Sequence, residues 1–474
     1  MLIQKRRFLK ALAAGGVGYA VGRTLGTTFG QMSGVTGFSD YKALVCLFLF
    51  GGNDSWNMLV PTSTAEYNAY AKSRGAGTTA SLAIDKDVLL PISPQGTVAG
   101  DPTYGFHPRL PELRDLFAAG RLAVLPNVGP LIRPTTKEQY KTAQSIKHEL
   151  PPQLFSHNDQ QDQWHSLRGN LLLRTGWAGR VGDVLAARTE AQRVPLNISL
   201  FGQTLFQAAT KVDPYVMGIN GVNVFEGLNV KGDVSGYDRA AARRQNLDGI
   251  LSSTLQGGES NYYHRGYARV HERALRYADI VNDALDASYN FAALPNSGAA
   301  LTPLATQFRT VAKMISQRTK LSMSRQIFLV AAGGFDTHDT QAVDQPKLFE
   351  DISKSIKAFH DAMNEIGMSN QVTLFTQSDF GRTLTSNGDG SDHAWGGLQL
   401  VVGGAVRGGR LYGDYPLLSM DGPLEVGGGS FIPTMATDQY AATLASWFGV
   451  DESDLIRIAP HLNNFSVRNL GFLT

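Results

Sequence analysis

The chain has 474 residues, of which 43% are hydrophobic and 18% are charged, a composition typical of a soluble globular protein. This length suits one large α/β domain with insertions, or two domains. The formal net charge is +2, and removing the five basic residues of segment 1–30, which contains no acid, lowers it to −3. A nearly neutral body excludes the electrostatic footprint of a protein that binds nucleic acid or anionic membranes. The single cysteine, Cys46, excludes an intrachain disulfide and makes a cysteine-based zinc site implausible.

The N-terminus has the layout of a secretory signal peptide. A basic segment, residues 1–10, precedes an apolar and uncharged segment, residues 11–22. Within the first segment, Arg6-Arg7-Phe8-Leu9-Lys10 resembles a twin-arginine export signal, with Lys5-Arg6 as an alternative pair. A short membrane anchor is the other reading, but a spanning helix needs about 20 apolar residues. We therefore predict a signal peptide at 1–30, recognition by the twin-arginine translocation machinery, and a periplasmic or secreted protein with no transmembrane span in the mature chain.

Three apolar runs in the first half of the chain predict buried strands. They cover residues 43–50, 122–125 and 196–200. The first ends in Gly51-Gly52-Asn53-Asp54, where the glycines permit a tight turn. Asp54 is therefore placed either to hold a metal or to cap the turn with its side chain.

The middle of the chain changes character. Residues 203–260 are rich in Gly, Asn and Asp without clear periodicity, and helical periodicity follows over 262–322. We predict that 203–300 is an insertion or cap on a single domain spanning 31–474. A final helix is predicted over 438–448.

The clearest βαβ unit lies in the last third of the chain. Strand 327–332 is followed by helix 346–366, whose apolar residues recur at steps of three and four, and by strand 372–376. Gly367 is the expected helix C-cap. A further apolar run, Leu398–Val402, is read as another buried parallel strand. These patterns predict an α/β fold with a mainly parallel central sheet sandwiched by helices.

Acids and histidines cluster next to these strands. In open α/β sheets, ligands bind beyond the carboxyl ends of the strands, and carboxylates mixed with imidazoles suit a divalent ion. Each residue taken singly has a structural alternative, and Asp392 has a third role, that of orienting His393. The candidate ligands for Zn, Mn, Fe or Mg, singly or as a pair of ions, are Asp54, Asp336, His338, Asp379, Asp392 and His393.

Three residues are candidates for catalysis. Ser156 and His157 belong to a polar segment, 155–165, and Ser156 could attack a substrate if a metal lowered its hydroxyl pKa. The alternative is that Ser156 caps a helix and His157 bonds locally. Arg382 could bind an oxyanion through two hydrogen bonds, or form a salt bridge with a nearby acid.

Six short blocks together resemble the signature of one bacterial family, known as domain of unknown function 1501, whose members are exported and commonly carry twin-arginine signals. They span most of the chain beyond residue 43. The blocks are Gly51–Asn57, Phe155–His157, Gly176–Arg180, Gly334–His338, Ser378–Thr383 and Asp392-His393.

That family in turn resembles the alkaline phosphatase and sulfatase superfamily. The resemblance implies an alkaline-phosphatase-like fold and a binuclear centre, with Asp54 and Asp379 on one metal. Asp336, His338 and His393 would hold the other metal, and Ser156 would stand at the position of the nucleophile. Two differences from the superfamily, Phe380 in place of a histidine and the short spacing from Asp336 to His338, leave a single-metal, a different-ion and a vestigial site as alternatives.

Two functions follow as expectations. The first is a metal-dependent hydrolase that cleaves phosphate or sulfate esters, small or polymeric, outside the cytoplasm. The second is a non-catalytic extracytoplasmic binding or assembly protein with a vestigial metal site, because one fold hosts many functions.

Overall fold

A large twisted sheet with helices on both faces organises the chain. The computed structural model describes residues 37–96, 103–222, 228, 239–256, 261–296, 298 and 301–474. The predicted signal peptide and parts of the predicted insertion lie outside the described residues. The residues from Phe38 to Thr474 form one unit by their internal contacts.

The chain contains twelve strands and eleven α-helices among the described residues. The strands are β1 (Lys42–Leu49), β2 (Leu59–Pro61), β3 (Leu90–Ile92), β4 (Tyr104–Phe106), β5 (Leu122–Gly129), β6 (Asn197–Ser199), β7 (Tyr215–Val216), β8 (Arg325–Ala332), β9 (Val372–Ser378), β10 (Gly397–Gly403), β11 (Arg410–Leu411) and β12 (Met435–Ala436). The helices are α1 (Thr64–Ser73), α2 (Pro111–Ala118), α3 (Lys137–Ile146), α4 (His157–Ser166), α5 (Trp177–Leu185), α6 (Ala240–Gln256), α7 (Tyr262–Asp286), α8 (Pro303–Ser316), α9 (Gln341–Glu365), α10 (Thr437–Phe448) and α11 (Leu455–Ile458).

The central sheet has nine strands in the order β11-β5-β10-β9-β1-β8-β6-β7, with β12 also beside β5. Strands β9, β1, β8, β6 and β7 run parallel to one another. A small antiparallel sheet, β2-β4-β3, lies apart from it. The predicted α/β class with a mainly parallel central sheet is confirmed.

Successive side chains of β1 point to two different cores, which explains why every position of this strand after Lys42 is apolar. Val45 and Leu47 pack with α2, α8 and α9, whereas Cys46 and Phe48 pack with α4, α5 and α10. Helices therefore cover both faces of the sheet. Among the described residues, no helix is long and apolar enough to cross a membrane.

The three neighbouring strands β1, β8 and β9 end at the same level of the sheet. Leu49 of β1 lies opposite Ala332 of β8 and opposite Ser378 of β9. The loops that follow these three strands therefore leave the sheet side by side at one edge.

The prediction that the run Leu398–Val402 is a parallel strand was wrong, because β10 is antiparallel to both β9 and β5. A strand buried on both faces has the same apolar pattern in either direction, so the pattern carried no information on direction. The connection from β9 to β10 contains no helix to make a parallel crossover. As a result β10 begins, rather than ends, at the edge where β1, β8 and β9 end.

Helix α9 begins at Gln341, five residues before the predicted start at 346. The N-cap residue of this helix is Thr340, and its amide donates to Asp389 Oδ1, a residue distant in sequence, at 2.7 Å. The strand predicted at 122–125 likewise extends to Gly129. Helix α10 ends at Phe448, and its C-cap residue Gly449 has a left-handed φ of 112°.

Phe375 offers a test of the central packing. It is fully buried in β9, with its ring centroid 5.7 Å from that of Trp177 and 6.0 Å from that of Tyr440. We expect Phe375→Ala to lower the free energy of unfolding by about 3–5 kcal/mol, measured by urea denaturation. The control Phe201→Ala, whose side chain is 46% exposed, should cost about 1 kcal/mol or less. Equal losses would contradict the packing described above.

Candidate metal centre

Loops from distant parts of the chain meet at the edge where the parallel strands end. Asp336 and His338 follow β8, and Asp379 follows β9. His393 reaches the same edge because β10, which it precedes, begins there. His157 is the first residue of α4. The sequence predicted all five as site residues, and the structure brings them together.

The Nε2 atoms of three histidines face the Asp336 carboxylate. His157 Nε2 lies 3.4 Å from Oδ2, and His338 Nε2 and His393 Nε2 lie 3.1 and 3.4 Å from Oδ1. The two latter nitrogens are only 2.9 Å apart. His157, Asp336 and His393 offer ligand atoms that all lie within 4.8 Å of one another.

Each of these imidazoles is held at its other nitrogen, Nδ1, by an oxygen acceptor. The pairs are His157 with Asp379 Oδ2 at 2.7 Å, His338 with Asp392 Oδ1 at 3.1 Å, and His393 with the Phe155 carbonyl at 2.8 Å. A carbonyl or an ionised carboxylate can only accept, so these partners assign the ring proton to Nδ1. A neutral ring held in this way presents its Nε2 lone pair to the centre.

When the rings are neutral, the groups that face one another at the centre are all hydrogen-bond acceptors, and none of them can donate. His338 Nε2 and His393 Nε2 face each other at 2.9 Å with no hydrogen between them when both rings are neutral. The carboxylate of Asp336 adds a further acceptor. A divalent cation among these acceptors would satisfy them, so the residues present fit a metal ion, above all His157, Asp336 and His393. Three imidazoles with one carboxylate suit zinc or a similar transition metal better than Mg²⁺ or Ca²⁺, which prefer oxygen ligands.

The charges of the centre favour the forms that bind metal. Partial burial raises the pKa of Asp336, but the hydrogen bond and charge of Arg382 outweigh it and lower the pKa below its ordinary value. Burial lowers the pKa of His393, and the hydrogen bond to Phe155 only partly offsets this. At neutral pH, Asp336 is thus ionised and His393 is neutral.

Asp392 lies at the exposed rim of the centre. A hydrogen bond from Asn387 lowers its pKa, against a smaller effect of burial, and His338 lowers it further. The Asn387 amide donates to the same Oδ1 that accepts from His338, at 3.0 Å. Asp392 is thus ionised and contacts the Nδ1 side of His338.

Arg382 is fully buried, and each of its three guanidinium nitrogens donates at least one hydrogen bond. Nε and Nη2 donate to the Ser391 carbonyl at 3.0 and 2.6 Å, and Nη1 donates to the Gly51 carbonyl at 2.7 Å and to Asp336 Oδ1 at 2.9 Å. The sequence left two roles open for Arg382, binding an oxyanion or pairing with a nearby acid. The contacts correspond to the second role, a salt bridge with Asp336. The guanidinium orients Asp336.

Asp54 and Asp379 occupy different environments. Asp54 pairs through Oδ1 with Arg74 at 2.5 Å, and its Oδ2 accepts from Gln341, so both oxygens are engaged away from the histidines. Asp379 is fully buried and accepts through Oδ2 from His157 and from Gln161 at 2.8 Å. Its Oδ1 has no hydrogen-bond partner among the described residues.

Ser156 occupies the N-cap position of α4, and its hydroxyl donates to Asp159 Oδ2 at 2.8 Å. It is flanked by two residues of the centre, Phe155 and His157. Phe155 has a left-handed φ of 72°, a conformation that costs a non-glycine residue about 1–2 kcal/mol and that points its carbonyl at His393. Sequence reasoning missed Phe155 as a backbone acceptor and Gln161 as a partner of Asp379, and neither carries a sequence signal.

Comparison with known proteins places the chain in a family. The family described as "Protein of unknown function (DUF1501)" matches residues 41–426. The chain belongs to the DUF1501 family. The resemblance drawn from the six sequence blocks is thereby confirmed. No curated protein matches the chain significantly.

Solved structures similar to this DUF1501 protein are distant in sequence. Ps i-CgsB in complex with k-i-k-neocarrahexaose is 9% identical, and the match covers 88% of this chain and 74% of that one with a TM-score of 0.36. The phosphonate monoester hydrolase of Agrobacterium radiobacter is 8% identical, and the match covers 87% and 74% with a TM-score of 0.30. Similarity at this level does not establish a shared activity.

Gly51 tests the close packing beneath the centre. It has a φ of +116°, and a Cβ added there would lie 2.3 Å from the Asp336 backbone nitrogen. We expect Gly51→Ala to displace Asp336 and to weaken metal binding at least about tenfold, measured by chelator competition. Gly77→Ala is the matched control, since Gly77 has a φ of +82° with nothing within 4 Å of the added Cβ. Equal metal affinity in the two variants would contradict this role of Gly51.

Proposed function

We propose that this protein is an exported, metal-dependent hydrolase of phosphate or sulfate esters. One divalent transition-metal ion would be held by Nε2 of His157, His338 and His393 and by the carboxylate of Asp336. The observation that carries the proposal is the group of imidazole nitrogens facing the Asp336 carboxylate, above all the two Nε2 atoms 2.9 Å apart. When bound, such an ion polarises an ester oxygen and lowers the pKa of a coordinated water or hydroxyl.

Other residues of the chain orient the proposed ligands, and the centre is open to solvent. Asp379, Asp392 and the Phe155 carbonyl hold each imidazole in the tautomer that presents Nε2, and this orients the ligands before any ion arrives. The side chains of Asp336 and His338 are 48% and 38% exposed, so a substrate reaches the centre directly from solvent.

Ser156 is the side chain that we propose as nucleophile, with an activated water as the alternative. Its hydroxyl already donates to Asp159, which is positioned to accept the proton as Ser156 attacks. Arg168 Nη2 lies 3.5 Å from the other oxygen of Asp159 and would help to fix that carboxylate.

Export rests on the N-terminal sequence. The basic segment 1–10 and the apolar segment 11–22 match a twin-arginine signal in layout. Such an export signal would direct the hydrolase to the periplasm or outside the cell, where polymeric esters are accessible.

A non-catalytic binding or assembly role is the second candidate, and one observation favours it. Among the described residues, Arg382 is the only arginine or lysine that pairs with Asp336, Asp379 or Asp392, and its side chain is fully buried. A phosphoryl or sulfuryl group would therefore find no free guanidinium at the centre to stabilise its charge.

Hydrolysis assays separate the two candidates. We expect the metal-loaded protein to cleave 4-nitrophenyl phosphate or 4-nitrophenyl sulfate, and His393→Ala to lose both the ion and at least about 100-fold in kcat/KM. Ser156→Ala should retain the ion and lose a comparable factor, because only the nucleophile is removed.

The matched control is His271→Ala, on helix α7, whose ring bonds to the Tyr267 carbonyl; it should leave metal content and rate unchanged. If His393→Ala lost the ion while no ester was hydrolysed by either protein, the binding role would replace the hydrolase.

Metal retention should depend on pH with a definite sign. Protons compete with the ion for Nε2, so binding weakens as pH falls through the imidazole pKa values. The pKa of His393 is lowered by burial, so this ring stays neutral to a lower pH than an exposed histidine, whose pKa is about 6.5. We expect full occupancy at neutral pH and release on acidification below about pH 6, measured by equilibrium dialysis with elemental analysis. Occupancy that is constant or rises on acidification would refute histidine ligation.

A further inference from the structure

A buried polar network lies directly behind the centre. It is made of Asp54, Arg74, Gln341, Thr337 and Ser391, which are at most 6% exposed. None of them contacts the facing Nε2 atoms. Their position, however, joins the loops from which the ligands project.

Gln341, the first residue of α9, is the hub of this network. Its Oε1 accepts from the Ser391 hydroxyl at 2.5 Å and from the Thr337 hydroxyl at 3.2 Å. Thr337 lies between Asp336 and His338, and Ser391 lies two residues before His393. One amide oxygen therefore ties together the two loops that carry three of the four proposed ligands.

The other end of the amide is anchored to a buried ion pair. Gln341 Nε2 donates to Asp54 Oδ2, while Asp54 Oδ1 pairs with Arg74. Arg74 also donates to the Thr383 carbonyl at 3.2 Å, in the segment that follows β9. The anchor thus reaches a third loop of the centre.

The orientation of this amide is not interchangeable. Asp54 can only accept, so Nε2 must face it, and Oε1 must then face the two hydroxyls. Flipping the amide would set Oε1 against the Asp54 carboxylate and leave buried acceptors unpaired, at a cost of about 1–3 kcal/mol each. The amide therefore has one stable setting, and that setting fixes the separation of the two loops.

We propose that Gln341 is a positioning residue, held by the Asp54–Arg74 pair, that sets the spacing of His338 and Asp336 against His393. This inference rests on the metal centre proposed above. It gives Asp54 an indirect role, in which its carboxylate acts on the centre through Gln341.

The test measures the affinity for Zn²⁺ by chelator competition and the visible absorption spectrum of the Co²⁺-loaded protein, which reports coordination geometry. We expect Gln341→Ala to weaken binding about 10- to 100-fold and to change the spectrum. Gln341→Glu should do the same, because it places a carboxylate against Asp54. The double variant Asp54→Asn, Gln341→Glu restores an amide–carboxylate pair and should recover most of the affinity.

The matched control is Gln207→Ala. Gln207 is 1% exposed and donates to the Ile198 and Ile327 carbonyls, both at 3.1 Å, within the sheet and away from the loops. It should lower the thermal midpoint as Gln341→Ala does and leave Zn²⁺ affinity unchanged. Wild-type affinity in Gln341→Ala, or an equal loss of affinity in Gln207→Ala, would overturn the proposal.

A second readout needs no metal. In the metal-free protein, ¹⁵N NMR of the imidazoles should show the Nδ1–H tautomer for His338 and His393, and Gln341→Ala should shift both towards a mixture of tautomers. Unchanged imidazole signals in that variant would overturn the positioning role. If the wild-type protein bound no ion, the proposed hydrolase function would be contradicted. The NMR comparison would still decide the role of Gln341.

Discussion

Three imidazoles whose Nδ1 protons are committed to oxygen acceptors impose the constraint on which the centre depends. Their Nε2 lone pairs face the carboxylate of Asp336, and two of them approach to 2.9 Å. Neutral histidines cannot satisfy one another in this arrangement, because no hydrogen is left to share. Protonating a ring would relieve one contact, and partial burial opposes the added charge at His393. A cation would relieve these contacts without adding a proton, and the proposed metal site rests on this argument.

The sheet supplies the platform for this arrangement. Because β1, β8 and β9 end at the same level, Gly51, Asp336 and Asp379 leave the sheet side by side. The antiparallel strand β10 delivers His393 to the same edge from the opposite direction. Arg382 then joins the loops, since its guanidinium bonds to Gly51, Asp336 and Ser391. Long-range contacts of this kind hold in place the loops that carry the proposed ligands, as precise coordination requires.

The sequence predicted which residues form the centre better than it predicted how they contact one another. Apolar runs followed by acids and histidines were enough to predict Asp336, His338 and Asp379 at one edge of the sheet. His393 precedes its apolar run, and it reaches that edge only because β10 is antiparallel. Periodicity could not reveal the direction of β10, because a doubly buried strand is apolar throughout. Nor could it reveal which imidazole nitrogen faces the centre, since that depends on acceptors such as the Phe155 carbonyl, which every residue possesses. The engagement of Asp54 by Arg74 and Gln341 is likewise a product of packing between distant segments.

X-ray absorption spectroscopy at the metal edge of the natively exported, purified protein tests the central claim most directly, because it reports the presence of the ion and its ligands together. The account predicts one transition-metal ion per chain with three imidazole nitrogens and at least one oxygen in its shell, the nitrogens at about 2.0–2.1 Å if the ion is zinc. Loss of the imidazole scattering in His338→Ala would agree with that assignment. An absent metal edge after metal supplementation, or a shell of oxygens alone, would contradict it.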